Sequence, residues 1–253
     1  MAKLIDGKFL VGSIGDLRFY QLNGQTIVSS KGGPSAKQIK TKPSCIRIRQ
    51  NNIEFGAVGK LAGYIKRSTG NFRQLWYKPY YDHLNKLLKQ VQQTDSINGP
   101  GERNLHFSNA RNIFASFQIT KSRLLDFTSI HCEFERCSET QLQIKIPEIQ
   151  ECNHIYYPEG YREFEYSLHA ICLPDILYDY KTNTYPVDQY NCIKPLKEIF
   201  NTREFNNTKI PAHKRIVEMK PCANYLIFAY LKLSSIWDLR IPPIHTLMIV
   251  QLV

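Results

Sequence analysis

Apolar and polar residues change their rhythm twice along this chain. Near the start the alternation has period two: Leu17-Arg-Phe-Tyr-Gln-Leu22 and Gln25-Thr-Ile-Val-Ser-Ser30 flank Asn23-Gly24. That dipeptide supplies the two positive-φ positions of a type I′ turn, so the pattern predicts a β-hairpin. A two-residue loop sets Leu22 opposite Gln25, Tyr20 opposite Ile27 and Phe19 opposite Val28. Gly12 and Gly15 are expected to mark a bend ahead of it.

Beyond Lys31-Gly-Gly-Pro34 the period lengthens. Phe55, Val58, Leu61, Ala62 and Ile65 recur at helical spacing, which predicts a helix over about residues 50–67. Gly56, Gly59 and Gly63 fall three and four apart on the same helix, at a cost of about 1 kcal/mol each against Ala. Close approach of another backbone would offset that cost; a neighbouring helix is expected, with nucleic acid as the alternative. Tyr80, Tyr81, Leu84, Leu87, Leu88 and Val91 repeat the pattern behind Pro79, a first-turn residue, with Asp82 favourable near the positive end. This second helix should end near Gln93, and Asp95-Ser-Ile-Asn-Gly-Pro-Gly101 reads as a loop.

From about residue 112 period two returns. Thr140–Ile146 alternates, and Phe164, Tyr166, Leu168, Ala170 and Cys172 alternate with Glu165, Ser167 and His169. Further strands are predicted at 113–119, 129–135, 225–232 and 245–253. Residues 174–221 read as extended connections with one short helix near Pro195–Asn201. The fold class expected is α+β: an N-terminal β-hairpin plus helices, residues 1–110, and a C-terminal antiparallel β-sandwich, residues 111–253, with the boundary near 95–112.

Charge sharpens this division. Residues 1–125 hold 20 Lys and Arg against 6 Asp and Glu, net +14, whereas residues 126–253 carry net −3. The window 31–89 contains 13 of the cations and only Glu54 and Asp82, with Tyr64, Phe72, Trp76, Tyr77, Tyr80 and Tyr81 interleaved. Cations on a helix beside aromatic rings suit phosphate contacts and base stacking. The plainer reading is a solvated basic surface whose aromatics belong to the core. Lys60, Lys66, Arg67, Arg73, Lys86 and Lys89 are the residues predicted to meet phosphates.

The apolar runs Tyr225–Leu231 and Leu247–Val253 are far shorter than the roughly 20 residues that cross a bilayer. The chain opens without the apolar core of a secretory signal, and its seven cysteines lack paired spacing. Together these lead to the expectation of a cytoplasmic protein with reduced, mostly core thiols and no membrane partner.

The ordered set Gly12-Ser-Ile-Gly15-Asp-Leu17-Arg-Phe19-Tyr20, Asn23-Gly24, Lys31-Gly32-Gly33-Pro34 and Glu54-Phe55-Gly56 resembles a family of uncharacterised proteins from Bacteroidota genomes. The likeness continues through Asp95, Gly101, Arg103, Ile144-Lys-Ile-Pro147 and Pro158-x-Gly160. It implies a shared fold and a bacterial origin and carries over no functional residue. The Arg that follows the Lys-Gly-Gly turn in that family corresponds to Arg47 or Arg49.

Catalytic chemistry finds little support. His131, Cys132, Cys137, Cys152 and His154 are close in sequence, but Cys132 and Cys137 are five apart, on opposite sides of a strand, and no Cys-x-x-Cys occurs. No metal or cofactor is therefore expected. Gly12-Ser-Ile-Gly15 and Lys31-Gly-Gly-Pro34 lack the strand-loop-helix context of a phosphate loop. Asp175 with Asp179, and Glu163 with Glu165, are pairs that any chain of this length offers. The sequence points to a non-enzymatic binding protein that contacts nucleic acid without strong sequence preference. The alternative is a structural or assembly subunit, a homo-oligomer among the options, whose basic module meets an acidic protein surface.

Overall fold

The computed structural model of the chain describes residues 2–7, 9–30, 32–115, 117–187, 197–204, 209–219, 221, 224–235 and 240–253, without the side chains of Asn109 and Arg111. Two compact units divide the chain, Met1–Arg49 and Gln50–Val253.

In the first unit, β1 (Lys3–Ile5), β2 (Phe9–Ile14), β3 (Leu17–Leu22) and β4 (Gln25–Ser30) form an antiparallel meander in chain order. Asn23 at φ 51° and Gly24 at φ 78° make the turn, and Tyr20 pairs with Ile27, Phe19 with Val28 and Leu22 with Gln25, the register that the sequence predicts. Where the sequence suggested a bend, Gly15 at φ 54° starts a second two-residue turn between Ile14 and Leu17. Strand β1 has only three residues, and Phe9-Leu-Val-Gly-Ser-Ile14 of β2 does not alternate apolar with polar, so neither showed period two.

Pairing places Leu4, Leu10, Ile14, Leu17, Phe19 and Val28 on one face of this sheet, and that face carries no charged strand residue. Leu4, Ile14 and Val28 are more than half exposed there. Next comes α1 (Ala36–Thr41), opened by a capping box in which Ser35 Oγ accepts from Gln38 N at 3.3 Å and Gln38 Oε1 accepts from Ser35 N at 2.8 Å. Arg49 Nη1 donates to the carbonyls of Ile39 and Lys42, at 2.8 and 2.9 Å, and satisfies groups that the end of α1 leaves open.

Helices α2 (Ile46–Ser68) and α3 (Lys78–Gln93) follow, then β5 (Phe117–Gln118), β6 (Glu133–Arg136), β7 (Gln141–Ile146), β8 (Ile149–Gln150), α4 (Glu151–His154) and β9 (Glu163–Cys172). Strands β10 (Lys197–Asn201), β11 (Lys209–Ile210), β12 (His213–Glu218), β13 (Tyr225–Ser234) and β14 (Ile244–Leu252) complete the second unit. Its main sheet is antiparallel in the order β10-β9-β13-β14-β5, beside a three-stranded sheet β12-β7-β6 and the pair β11-β8.

Alternation along β13 shows how the layers stack. Leu226, Phe228 and Tyr230 share a core with Val58, Leu61 and Ile65 of α2 and Leu84, Leu88 and Val91 of α3. Tyr225, Ile227, Ala229 and Leu231 share the other core with Leu142, Ile144 and Ile146 of β7. The main sheet is thus covered by helices on one face and by strands on the other. Fully burying a side chain such as Leu61 or Leu88 is worth about 1.5–3 kcal/mol, so the helices are fastened to the sheet by packing.

Four expectations are corrected by this arrangement. The compact units do not divide near 95–112, because α2 and α3 share a core with β13 and β14. The segment expected to hold a short helix near 195–201 contains β10; its residues 195 and 196 lie outside the described ones. The strand predicted at 113–119 is reduced to Phe117–Gln118 behind a 3₁₀ turn, Phe107–Phe114. Ser167 and His169, read as the polar alternates of β9, are buried under the helical layer, where the Phe72 ring meets His169 edge-on with centroids 4.9 Å apart.

The cysteines also differ from the all-reduced reading. Cys172 is disulfide-bonded, Cys45 and Cys132 are buried thiols, and Cys137 and Cys152 are exposed. Burial pushes the Cys132 thiol up to about 12. No helix among the described residues is long and apolar enough to cross a membrane.

Candidate nucleic-acid interface

The turn between α2 and α3 gathers half of the predicted phosphate contacts. Gly70 adopts φ 54° just past the end of α2, a conformation open to glycine at little cost. Thr69 Oγ1 donates to the Lys66 carbonyl at 2.7 Å and accepts from Trp76 Nε1 at 3.0 Å, which fixes the 3₁₀ turn Gly70–Leu75 against the helix end. The backbone N–H of Tyr77 donates to Ile119 O at 3.0 Å and anchors the start of α3, with Pro79 in its first turn.

Between these elements lies a cleft of about 830 Å³, lined by Lys66, Arg67 and Arg73 with Asn71, Gln74 and Tyr81, and floored by Gly63 and Gly70. Among the described residues no Asp or Glu lines it. The Lys66 ammonium stands 4.9 Å from the centroid of the Tyr81 ring, a cation–π contact that orients it. Lys66 and Arg67, in the last turn of α2, also complement the partial negative charge of the helix C-terminus. Arg73 lies beyond α2, in the last turn of the 3₁₀ segment. Asn71 and Gln74 were missed by the sequence reading; their signal is position, flanking Arg73 in the turn between two amphipathic helices.

The remaining predicted residues are elsewhere. Lys60 lines a smaller cleft of about 190 Å³ with Asn52, Gly56 and the segment Asn183–Tyr185. Lys86 lines another beside Phe55 and Asp82. Lys89 lines the same cleft, and its ammonium pairs with the Glu54 carboxylate and donates to Gln92 Oε1 at 3.1 Å.

Glu54 is the hub of that structural network. At 1% exposure it accepts from Gly101 N at 2.7 Å and lies 3.9 Å from the Arg103 guanidinium. Buried Gln92 donates to the Arg103 carbonyl, and Tyr185 Oη donates to it at 2.8 Å. Asp95 closes the adjoining loop by accepting from the backbone N–H groups of Ile97, Asn98 and Asn104. Partial burial raises its pKa, but these bonds, with that from the Asn98 side chain, outweigh it and hold Asp95 at about 2. Glu54, Asp95, Gly101 and Arg103, dispersed in the ordered motif set, therefore meet as framework.

The interleaved aromatics divide. Tyr64 and Trp76 are core, and Phe72 packs on the core, whereas Tyr77 is exposed and meets Tyr80 edge-on with centroids 5.5 Å apart. Among the described residues no backbone packs on the glycines of α2. A Cβ at Gly56 or Gly59 would meet nothing within 4 Å, and one at Gly63 would meet only side-chain atoms of Arg67 and Tyr81. This corrects the expectation of helix-helix packing there.

Asp175, Asp179 and Glu165 are each held by partners within the protein. Asp175 accepts from Phe107 N and Asn224 Nδ2, both at 2.9 Å, and Asp179 accepts from Lys181 N and Thr182 Oγ1. Glu165 pairs with Arg203 at 2.7 Å. Among the described residues no three His, Cys, Asp or Glu side chains gather as metal ligands. Comparison with protein-family models, with curated proteins and with solved structures finds no match for this chain.

Proposed function

We propose that this chain is a non-enzymatic protein that binds nucleic acid without strong sequence preference, with Lys66, Arg67 and Arg73 as its phosphate contacts. The observation that carries the reading is the convergence of these three cations in one cleft whose lining, among the described residues, holds no carboxylate. Such a cleft attracts polyanions, and its charge acts on a phosphodiester backbone whatever the bases are. Asn71 and Gln74 hydrogen-bond to sugar or phosphate oxygens, and the exposed Tyr77 ring is available for stacking.

The test is fluorescence anisotropy of the whole chain with mixed-sequence oligonucleotides across a salt series. Affinity falls log-linearly with salt, and replacing Lys66, Arg67 and Arg73 by Gln flattens the slope by about 0.7–0.9 per lost phosphate contact. Binding indifferent to the triple substitution in a folded protein would refute the reading.

A second reading is an assembly subunit that meets an acidic protein surface. It is favoured by the charge-free apolar face of the β1–β4 sheet, on a unit that holds nine Lys and Arg against two Asp within residues 1–49. A discrete, nucleic-acid-free oligomer on size-exclusion chromatography is its expected signature.

A further inference from the structure

We infer that the ligand of the basic cleft is a single strand, held in extended form along α2 from Arg67 back to Asn52; this rests on the reading above. Two cavities open on the same face of the helix. Gly63 and Arg67 line the cleft of about 830 Å³, and Gly56 and Lys60 line the one of about 190 Å³. Steps of four, three and four residues keep these positions in one row, and Gly56 to Arg67 spans about 16 Å at 1.5 Å per residue.

A Cβ at Gly59 would meet no atom within 4 Å. Glycine inside a helix is unfavourable relative to alanine, and no packed neighbour within the protein uses the room that Gly56 and Gly59 leave. Cations stand at both ends, Lys60 at one and Lys66, Arg67 and Arg73 at the other, and among the described residues neither lining contains an acid.

This combination fits a phosphodiester chain that is thin and charged along its length. A duplex displays its phosphates on a convex cylinder, which cannot enter cavities of this size. A single strand can follow the row, with its phosphates at the two cationic ends and its sugars over the glycines. Asn52 and Asn71, at opposite ends, supply amides without base preference.

The experiment compares the parent chain with Gly56→Leu/Gly59→Leu. Probes are an oligothymidylate of about 12 nucleotides, within single-strand site sizes of about 4–16, its duplex with oligoadenylate, and inorganic tripolyphosphate, which needs only the basic cleft. The double variant is expected to melt at a higher temperature and to bind the single strand about tenfold more weakly, with tripolyphosphate binding unchanged. The parent should bind the duplex more weakly than the single strand.

Single-strand affinity within about twofold of the parent's would overturn the track and leave the cleft reading standing, as would equal affinity for duplex. A parent chain that binds none of the probes overturns the cleft reading itself. Lys60→Gln provides a second variant on an exposed position. It should weaken the single strand a few-fold and leave tripolyphosphate alone; loss of both, or of neither, counts against the track.

Discussion

The backbone N–H of Gly101 donates to Glu54 Oε1 at 2.7 Å across 47 residues of sequence. Gly101 sits at φ 98°, and a Cβ there would lie 2.9 Å from Gln50 Cγ and 3.2 Å from Gln50 Cα. Gly101→Ala therefore strains the backbone and crowds α2. It should cost at least about 2 kcal/mol in denaturant unfolding. Gly59→Ala, at an open helical position, should instead stabilise by up to about 1 kcal/mol. Equal effects of the two would refute the local account.

Glu54 and Lys89 form the ionic centre of the same network. Lys89→Met leaves a buried carboxylate without its nearest counter-charge and should cost about 3–5 kcal/mol. Glu54→Leu should also destabilise, by stranding the Gly101 N–H. The double variant should lose clearly less than the two single losses added, with a coupling of about 1–3 kcal/mol in a double-mutant cycle. Strict additivity would show that the pair does not interact.

Why some of this was legible and some not follows from range. The register of Tyr20 with Ile27 is set by a two-residue turn, and α3 by Pro79 and its own apolar stripe, so local pattern sufficed. Nothing local announces that Lys89 answers Glu54, 35 residues away, so the lysine looked like part of a basic surface. Ser167 and His169 alternate as a solvated face would, because period two reports two faces without telling whether the second is covered. Charge misled the domain boundary for a related reason: it belongs to the surface, whereas units are divided by packing. Of the site, the cations were readable as types; their convergence depended on the turn that Gly70 and Thr69 impose.

The hairpin gives a prediction confined to the first unit. Gly24→Val places a β-branched residue at φ 78° and should cost about 1–2 kcal/mol locally. Amide hydrogen exchange should quicken across Leu17–Ser30 while Tyr225–Ser234 keeps its protection. Unchanged exchange in residues 17–30 would contradict the turn.

His169 makes stability depend on pH. The ring is 5% exposed, with Nε2 2.8 Å from Ser167 Oγ, Phe72 packed edge-on from the helical layer and Tyr230 next to Phe72. Burial without a counter-charge lowers its proton affinity from 6.5 to about 4. Below its ordinary value the unfolded chain takes up a proton that the folded one refuses. Stability is thus fully present above about pH 6.5 and drains as pH falls toward about 4, by up to about 3 kcal/mol. His245, lowered first by burial and then by Lys232, adds in the same direction. Urea unfolding at intervals between pH 7 and 4 should show this slope in the parent and a shallower one in His169→Gln. Parallel slopes for the two proteins would mean that His169 takes its proton without opening the fold.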